Sequence, residues 1–432
     1  MGIIAGVNLV CNASVGADAM RRAMPIKCSI SKEPQGKKLP QAHASGLSIS
    51  ANFDSGNIKT VAMPPLGSAD DNSSPQEIVL EISPDPYCEA DGREHYQWYH
   101  FRASGVRSKA CVFKVRNAGG ASYGEAWKGY NSTASYDRHF WFRVPTDYDE
   151  ASGELSINHT PDQDVCYYAF FAPYSLEQHA DLVSWAVTRG ATVTEVCKTV
   201  DGYPLDVVAA GTGPKPVWII ARQHPGESMA EWYMEGLMKR LLNSDDPLSR
   251  SLLKKCTFYL VPNMNPDGSR RGYLRTNAAG RNLNREWETP SEEHSPEVFH
   301  ILKAMEATGV KFFLDVHGDE DLPYNFIAGN EGIPSWDKRL EDLQEKFKAC
   351  YMNHSPDFQV THGYPADGPG EANLAIASNA VGEKFKCVAM TLEQPFKDTA
   401  DDPQHEQGWS PERSMVFGAS VLNAIADVEA DL

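Results

Sequence analysis

No two cysteines in this chain are spaced Cys-x-x-Cys, although there are nine of them. Single scattered thiols in odd number argue against a disulfide framework and fit a reducing compartment with buried free thiols. Cations are scarce: 40 Lys and Arg stand against 58 Asp and Glu, for a net charge of −18 and a pI near 5.2. That balance argues against nucleic acid as a partner, which normally meets a basic face. No apolar run approaches the ~18 residues that a membrane span needs, so no membrane partner is expected. Internal repeats and low-complexity tracts are also missing. Sequons such as Asn131-Ser132-Thr133 occur, but they carry little weight without a secretory signal.

The first 45 residues reverse the trend, with six Lys or Arg and two acids. The mildly apolar Ile3 to Cys11 lacks a basic segment before it, and Gly6 occupies the position where a myristoylation signal needs Ser or Thr. Residues 1–50 are therefore expected to be a disordered leader in a cytoplasmic protein. An organellar targeting peptide is the alternative that the basic leader suggests.

At 432 residues, with 41% hydrophobic and 23% charged side chains, the remainder is ordinary globular protein of about two domains. From residue 51 to 175, short β-rich segments alternate with Gly, Asn, Asp and Pro clusters. They are Ile78–Ile82, Tyr96–Arg102, Ala110–Arg116, Phe140–Val144 and Val165–Phe171. That rhythm predicts an antiparallel β-sandwich. Its aromatics, as in His95-Tyr96-Gln97-Trp98-Tyr99-His100-Phe101, read as sandwich core, with a sugar-binding face as the alternative.

A helix over Leu176–Val187 leads into the second domain, 176–432. A hairpin follows between Ala191 and Ala210, turning at Asp201-Gly202. Strands are then expected at Val217–Ala221, Cys256–Val261, Phe312–His317 and Cys387–Leu392. Helices are expected at Ser228–Leu242, Pro296–Ala307, Trp336–Cys350, Glu371–Val381 and Arg413–Val428. Continuous apolar strands separated by helices predict an α/β fold with a mixed, mostly parallel sheet covered on both faces. In such sheets, sites form where strands end.

Three of these strands end in chemistry. Val217 to Ala221 runs into Arg222-Gln223-His224-Pro225-Gly226-Glu227, Phe312 to Val316 into His317, and Cys387 to Leu392 into Glu393. His-x-x-Glu occurs three times, as His224/Glu227, His294/Glu297 and His317/Glu320. Only His224 and His317 terminate strands, where a side chain can enter a crevice. Two His and one Glu are an established catalytic zinc set that leaves a position open, so His224, Glu227 and His317 are the candidate ligands. The fourth strand, Cys256–Val261, precedes Asn265-Pro266-Asp267-Gly268 and a stretch holding Arg270, Arg271, Arg275, Arg281 and Arg285. In so acidic a chain, collected arginines read as an anion site that grips a carboxylate; a solvated basic loop is the bland alternative.

The motifs His224-Pro225-Gly226-Glu227, Asn265-Pro266-Asp267-Gly268, Leu283-Asn284-Arg285, Asp315-Val316-His317-Gly318 and Thr391-Leu392-Glu393 resemble zinc carboxypeptidases of the carboxypeptidase A superfamily. The likeness is closest to the cytosolic carboxypeptidase branch. Phe53-Asp54-Ser55-Gly56-Asn57 and Tyr168-Ala169-Phe170-Phe171-Ala172-Pro173-Tyr174-Ser175 resemble the opening and closing of the β-sandwich that precedes its catalytic domain. The resemblance implies one zinc per chain and peptide or protein C-termini as substrates. It implies Glu393 as general base, Arg275 as oxyanion stabiliser, Asn284 and Arg285 as the grip on the terminal carboxylate, and Tyr364 as a mobile tyrosine.

It also implies glutamate as the residue removed, from a pocket with a basic group. Residues 349–383, which should line much of that pocket, contain no Lys or Arg and hold Asp357, Asp367, Glu371 and Glu383. Either the residue removed is therefore neutral or basic, or the cation comes from another segment. Arg270 and Arg271 are the nearest candidates. An aspartoacylase-like deacylase of N-acyl amino acids shares the His-x-x-Glu, Asn-Arg, His and Glu arrangement but not the long sandwich. A non-catalytic binding protein would have no need of both the zinc set and Glu393. The partner of the sandwich stays open.

Overall fold

The computed structural model describes residues 46–64 and 74–432. The expected leader and its targeting alternative fall mostly outside these residues. Ten strands come first: β1 (Ser48–Ser50), β2 (Lys59–Ala62), β3 (Gln76–Glu81), β4 (His100–Ser104), β5 (Cys111–Val115), β6 (Ser132–Ser135), β7 (Phe142–Val144), β8 (Thr146–Asp149), β9 (Glu154–His159) and β10 (Val165–Ala169). They form two five-stranded sheets, β1-β4-β10-β6-β7 and β2-β3-β5-β9-β8. All pairs are antiparallel except β3 with β5, which run parallel. Alternation builds the core: Ile78 and Leu80 of β3 and Phe113 and Val115 of β5 are fully buried. Their outward neighbours Glu77 and Lys114 form an ion pair at 2.9 Å.

The aromatic run is core and not a sugar-binding face, since Trp98, Tyr99 and Phe101 are at most 1% exposed. Its strand begins at His100 and not at Tyr96. Tyr96 and Gln97 instead bond the loop at Ser122 and Tyr123. The strand expected from Phe140 starts at Phe142, because the Asp137 carboxylate accepts the Phe140 N–H and holds a turn there.

Helix α1 (Leu176–Thr188) opens the second part, with Ser175 and Gln178 closing a capping box. The hairpin β11 (Thr192–Lys198) and β12 (Pro204–Gly211) follows, with Gly202 at φ +87° in its turn. Then come β13 (Lys215–Ala221), α2 (Met229–Leu241), α3 (Pro247–Lys255), β14 (Cys256–Val261), α4 (Pro266–Arg271), α5 (Pro296–Thr308), β15 (Phe312–Val316), β16 (Phe326–Ala328), α6 (Lys338–His354), α7 (Ala377–Phe385), β17 (Val388–Glu393) and α8 (Pro411–Val428). The sheet order is β11-β12-β14-β13-β15-β17-β16. The four central strands are parallel, and the edges are antiparallel.

Both faces of β13 are covered. Val217 and Ile219 join the core shared with α2 and α8, while Trp218 and Ile220 join the one shared with α5 and α7. Burying each such side chain contributes ~1.5–3 kcal/mol, which fixes the strand register and so the position of the loop that follows.

Two expectations need correction. Asn265-Pro266-Asp267-Gly268 does more than break the strand: it starts α4, with the Asn265 side chain accepting the Gly268 N–H and Pro266 at the first helical position. The helix expected over Glu371–Val381 begins only at Ala377. Gly332 O takes the N–H groups of Gly370 and Ala372, which holds that stretch as loop. Among the described residues no helix is long and apolar enough to cross a membrane. The seven described cysteines are free thiols, five of them buried.

Candidate active site and metal centre

β13 ends at Ala221, and Arg222 turns the chain with φ +58°, a left-handed conformation costly for a non-glycine residue. Its buried guanidinium holds the turn by donating to Pro225 O, Tyr174 O and the Glu231 carboxylate. The turn delivers His224 and Glu227. β15, hydrogen-bonded beside β13, delivers His317. Among the described residues these three form a cluster whose ligand atoms lie within 4.8 Å of one another. Glu227 Oε1 is 2.6 Å from His224 Nδ1, and Oε2 is 2.8 Å from His317 Nδ1.

Each ring is anchored through its other nitrogen. His224 Nε2 is 3.0 Å from Asn282 Oδ1, and His317 Nε2 is 2.8 Å from Asp315 Oδ2. Gln223 donates to the same Asp315 oxygen at 2.6 Å and accepts from the Trp287 indole. Such partners fix which nitrogen faces a metal. Burial holds His224 down at about 3, with Arg275 adding to the effect, so the ring is neutral and its nitrogen could hold a metal. Burial also opposes a charge on His317, but the Asp315 and Glu227 carboxylates outweigh it and raise it well above its ordinary range. Two carboxylates against buried imidazoles thus favour positive charge at the centre. Two nitrogens, one carboxylate and that field fit a zinc ion.

Glu393 closes β17. Its Oε2 is buried without a hydrogen-bond partner among the described residues. Burial raises its carboxyl well above the usual range; His317 opposes this, while Glu227, Asp319 and Glu320 add to it. Arg275 is 9% exposed and donates from Nη1 to Tyr123 Oη at 2.8 Å. Asn284 accepts the Ala377 N–H through Oδ1. Arg285 is exposed and donates to Asn284 O. Tyr364, 50% exposed, donates its hydroxyl to Asp319 Oδ2 and packs edge-on against Phe326.

All eight expected residues line one cavity of about 680 Å³. The cavity also takes in groups that sequence reasoning missed. Glu320, the last residue of the third His-x-x-Glu, is buried there beside Glu227, Asp319 and Arg275. Lys348 enters from α6, one residue before the segment that lacks cations. Arg270 and Arg271 do not: Arg271 pairs with Asp201 at 2.6 Å, and Arg270 lies over the Tyr203 ring. Their helix, α4, points these side chains to the hairpin turn.

Below the arginine loop, Asn277 donates to Glu297 Oε2 at 3.2 Å. Burial pushes the Glu297 carboxyl up from 4.5 to about 8, with Asp267 and Glu286 adding to it. A carboxyl whose folded value is raised lends stability at low pH and loses it as pH rises from 4.5 to 8. Glu297→Gln, which cannot ionise, should therefore melt with the parent at pH 4 and above it at pH 8. Thermal denaturation across that range checks this, and equal melting at pH 8 contradicts it.

A model of the cytosolic carboxypeptidase N-terminal domain matches residues 49–171, and one of zinc carboxypeptidases matches residues 177–380. The metallo-carboxypeptidase from Burkholderia cenocepacia is 45% identical, over 89% of this chain and 99% of that one, with a TM-score of 0.83. The metallo-carboxypeptidase from Pseudomonas aeruginosa, solved in complex with (2-guanidinoethylmercapto)succinic acid, is 43% identical over the same shares, with a TM-score of 0.82. Human cytosolic carboxypeptidase 1 is 26% identical over 334 residues, 66% of this chain but 26% of its own length. The chain thus spans about a quarter of that relative. Similarity along nearly the whole length of two solved metallo-carboxypeptidases, together with the two matched domains, places the chain in the zinc carboxypeptidase family of peptidases, carrying the N-terminal domain of the cytosolic carboxypeptidases.

Proposed function

We propose that the protein is a cytoplasmic zinc metallocarboxypeptidase that removes the last residue from peptides or proteins, with residues 51–175 as the sandwich and 176–432 as the catalytic domain. One observation carries this reading: the His224, Glu227 and His317 cluster shares its cavity with Glu393, Arg275, Asn284 and Arg285. Zinc, when bound, polarises the scissile carbonyl and acidifies the attacking water. Glu393 takes the proton from that water and passes it to the leaving amine. Its unpartnered Oε2 is free to do so. Arg275 faces the developing oxyanion. Asn284 and Arg285 hold the terminal carboxylate, which sets the scissile bond one residue in. Tyr364 closes over the substrate from the Asp319 contact. The match to a zinc carboxypeptidase model over 177–380 supports peptide hydrolysis over the deacylase alternative.

Arg285→Ala tests the carboxylate grip. Arg285 is exposed in the free protein and donates to Asn284 O, so its loss should act mainly on KM. A charged hydrogen-bonded contact is worth ~1.5–3 kcal/mol, so kcat/KM should fall roughly 10- to 100-fold. Unchanged KM on free-acid peptides would assign the grip elsewhere.

The residue removed is glutamate in this reading, and Lys348 is the cation that receives it. Its side chain is 14% exposed, 3.1 Å from Glu345 and 3.7 Å from Glu331. An acidic side chain entering the cavity supplies Lys348 with a further partner. A relative's ligand, (2-guanidinoethylmercapto)succinic acid, carries two carboxylates and a guanidinium, so it supports a carboxylate grip in the cavity and does not choose the side chain removed. Among matched peptides ending in Glu, Lys, Leu and Ala, Glu should lead by about tenfold, and Lys348→Met should abolish that lead. A lead for the Lys peptide would reverse the assignment.

A further inference from the structure

The sandwich grips the loop that carries Arg275. Ser55 N–H donates to Arg270 O at 2.8 Å, and the Asn57 amide donates to Gly272 O at 2.9 Å. Gly272 sits at φ +71°, and a Cβ there would stand 2.7 Å from Gly56 O. The buried Asp85 carboxylate then accepts three consecutive backbone N–H groups: Leu274 at 2.8 Å, Arg275 at 2.8 Å and Thr276 at 2.9 Å. It also accepts the Thr276 hydroxyl at 3.2 Å. A carboxylate is acceptor-only, with two oxygens to share among such donors. No amide could replace it without turning an NH₂ toward an N–H.

The second grip is on the side chain. Arg275 Nη1 donates to Tyr123 Oη at 2.8 Å. Tyr123 is itself fixed by Gln97, which is fully buried. The Tyr123 N–H donates to Gln97 Oε1 at 2.9 Å, and Gln97 Nε2 donates to Tyr123 O at 3.1 Å. A planar side-chain amide matched to one residue's N–H and C=O leaves the phenol little freedom. Tyr123 also lines the catalytic cavity. Beyond these contacts, the two parts share a continuous apolar core, in which Phe170 stacks on Phe396 at 4.4 Å.

We infer that Asp85 and Tyr123 of the sandwich are positioning residues for Arg275, so that the N-terminal domain completes the oxyanion site of the catalytic domain. Asp85 sets the backbone at 274–276, and Tyr123 sets the guanidinium. The inference rests on the oxyanion role given to Arg275. It accounts for why the sandwich stays fused to the catalytic part: the arginine's coordinates are written partly in the first domain.

The test is a double-mutant cycle on the full zinc-loaded chain, with kcat, KM and zinc content read for each variant. Tyr123→Phe removes one oxygen and no packing. It should lower kcat roughly tenfold with KM and zinc unchanged, as expected for losing one hydrogen bond to a charged group. In an Arg275→Ala background the same change should have no further effect, because the group it acts through is gone. Asp85→Asn should behave alike and serves as the independent second variant. Loss by the same factor in both backgrounds, or no loss where Arg275 is present, overturns the positioning role alone. Near-normal kcat for Arg275→Ala itself overturns the oxyanion role, and the inference with it.

Discussion

Glu393→Gln should retain fold and zinc while losing ~10²–10⁴-fold in kcat. The amide keeps the shape of the carboxyl at the end of β17, and Glu393 is not one of the three residues of the His224, Glu227 and His317 cluster. What it loses is the ability to accept and return a proton. Pre-steady-state and steady-state turnover on one peptide, with metal analysis of the same sample, checks this. Near-normal turnover would make another group the base. Glu320 is the first to examine, since it is a buried carboxyl of the cavity beside Arg275 and Glu227, whereas the equally buried Asp319 already accepts the Tyr364 hydroxyl.

Loss of the metal should be more severe. The purified protein should hold about one zinc per chain, since among the described residues a single such ligand cluster occurs. A chelator should abolish activity, and zinc should restore it. His317→Ala should lose both zinc and activity, since it removes a ligand and leaves the fully buried Asp315 without the ring at 2.8 Å. Metal analysis showing no stoichiometric zinc in protein produced with ample zinc would contradict the site.

Much of this was legible from residues in order. β13, β15 and β17 are largely apolar runs buried along most of their length, so their ends were marked and so were the residues beyond them. The site residues on those ends, His224, Glu227, His317 and Glu393, gather in one cavity because neighbouring strands carry them. What stayed hidden acts at long range or against local pattern. Asn282, which orients His224, is 58 residues away in sequence and sits in a polar loop with no period. Asp85 and Tyr123 lie about 190 and 152 residues before Arg275. The strand Ser132–Ser135 has no apolar alternation to betray it. Lys348 stands one position before residues 349–383, and α6 carries it into the cavity wall.

The most direct measurement incubates the zinc-loaded full chain with peptides of varied C-termini, each as free acid and as amide, and reads the products by mass spectrometry. The arrangement of Asn284 and Arg285 in one cavity with His224, Glu227 and His317 predicts loss of single C-terminal residues from the free acids and none from the amides. Internal cleavage, or amides trimmed as fast as acids, would contradict it.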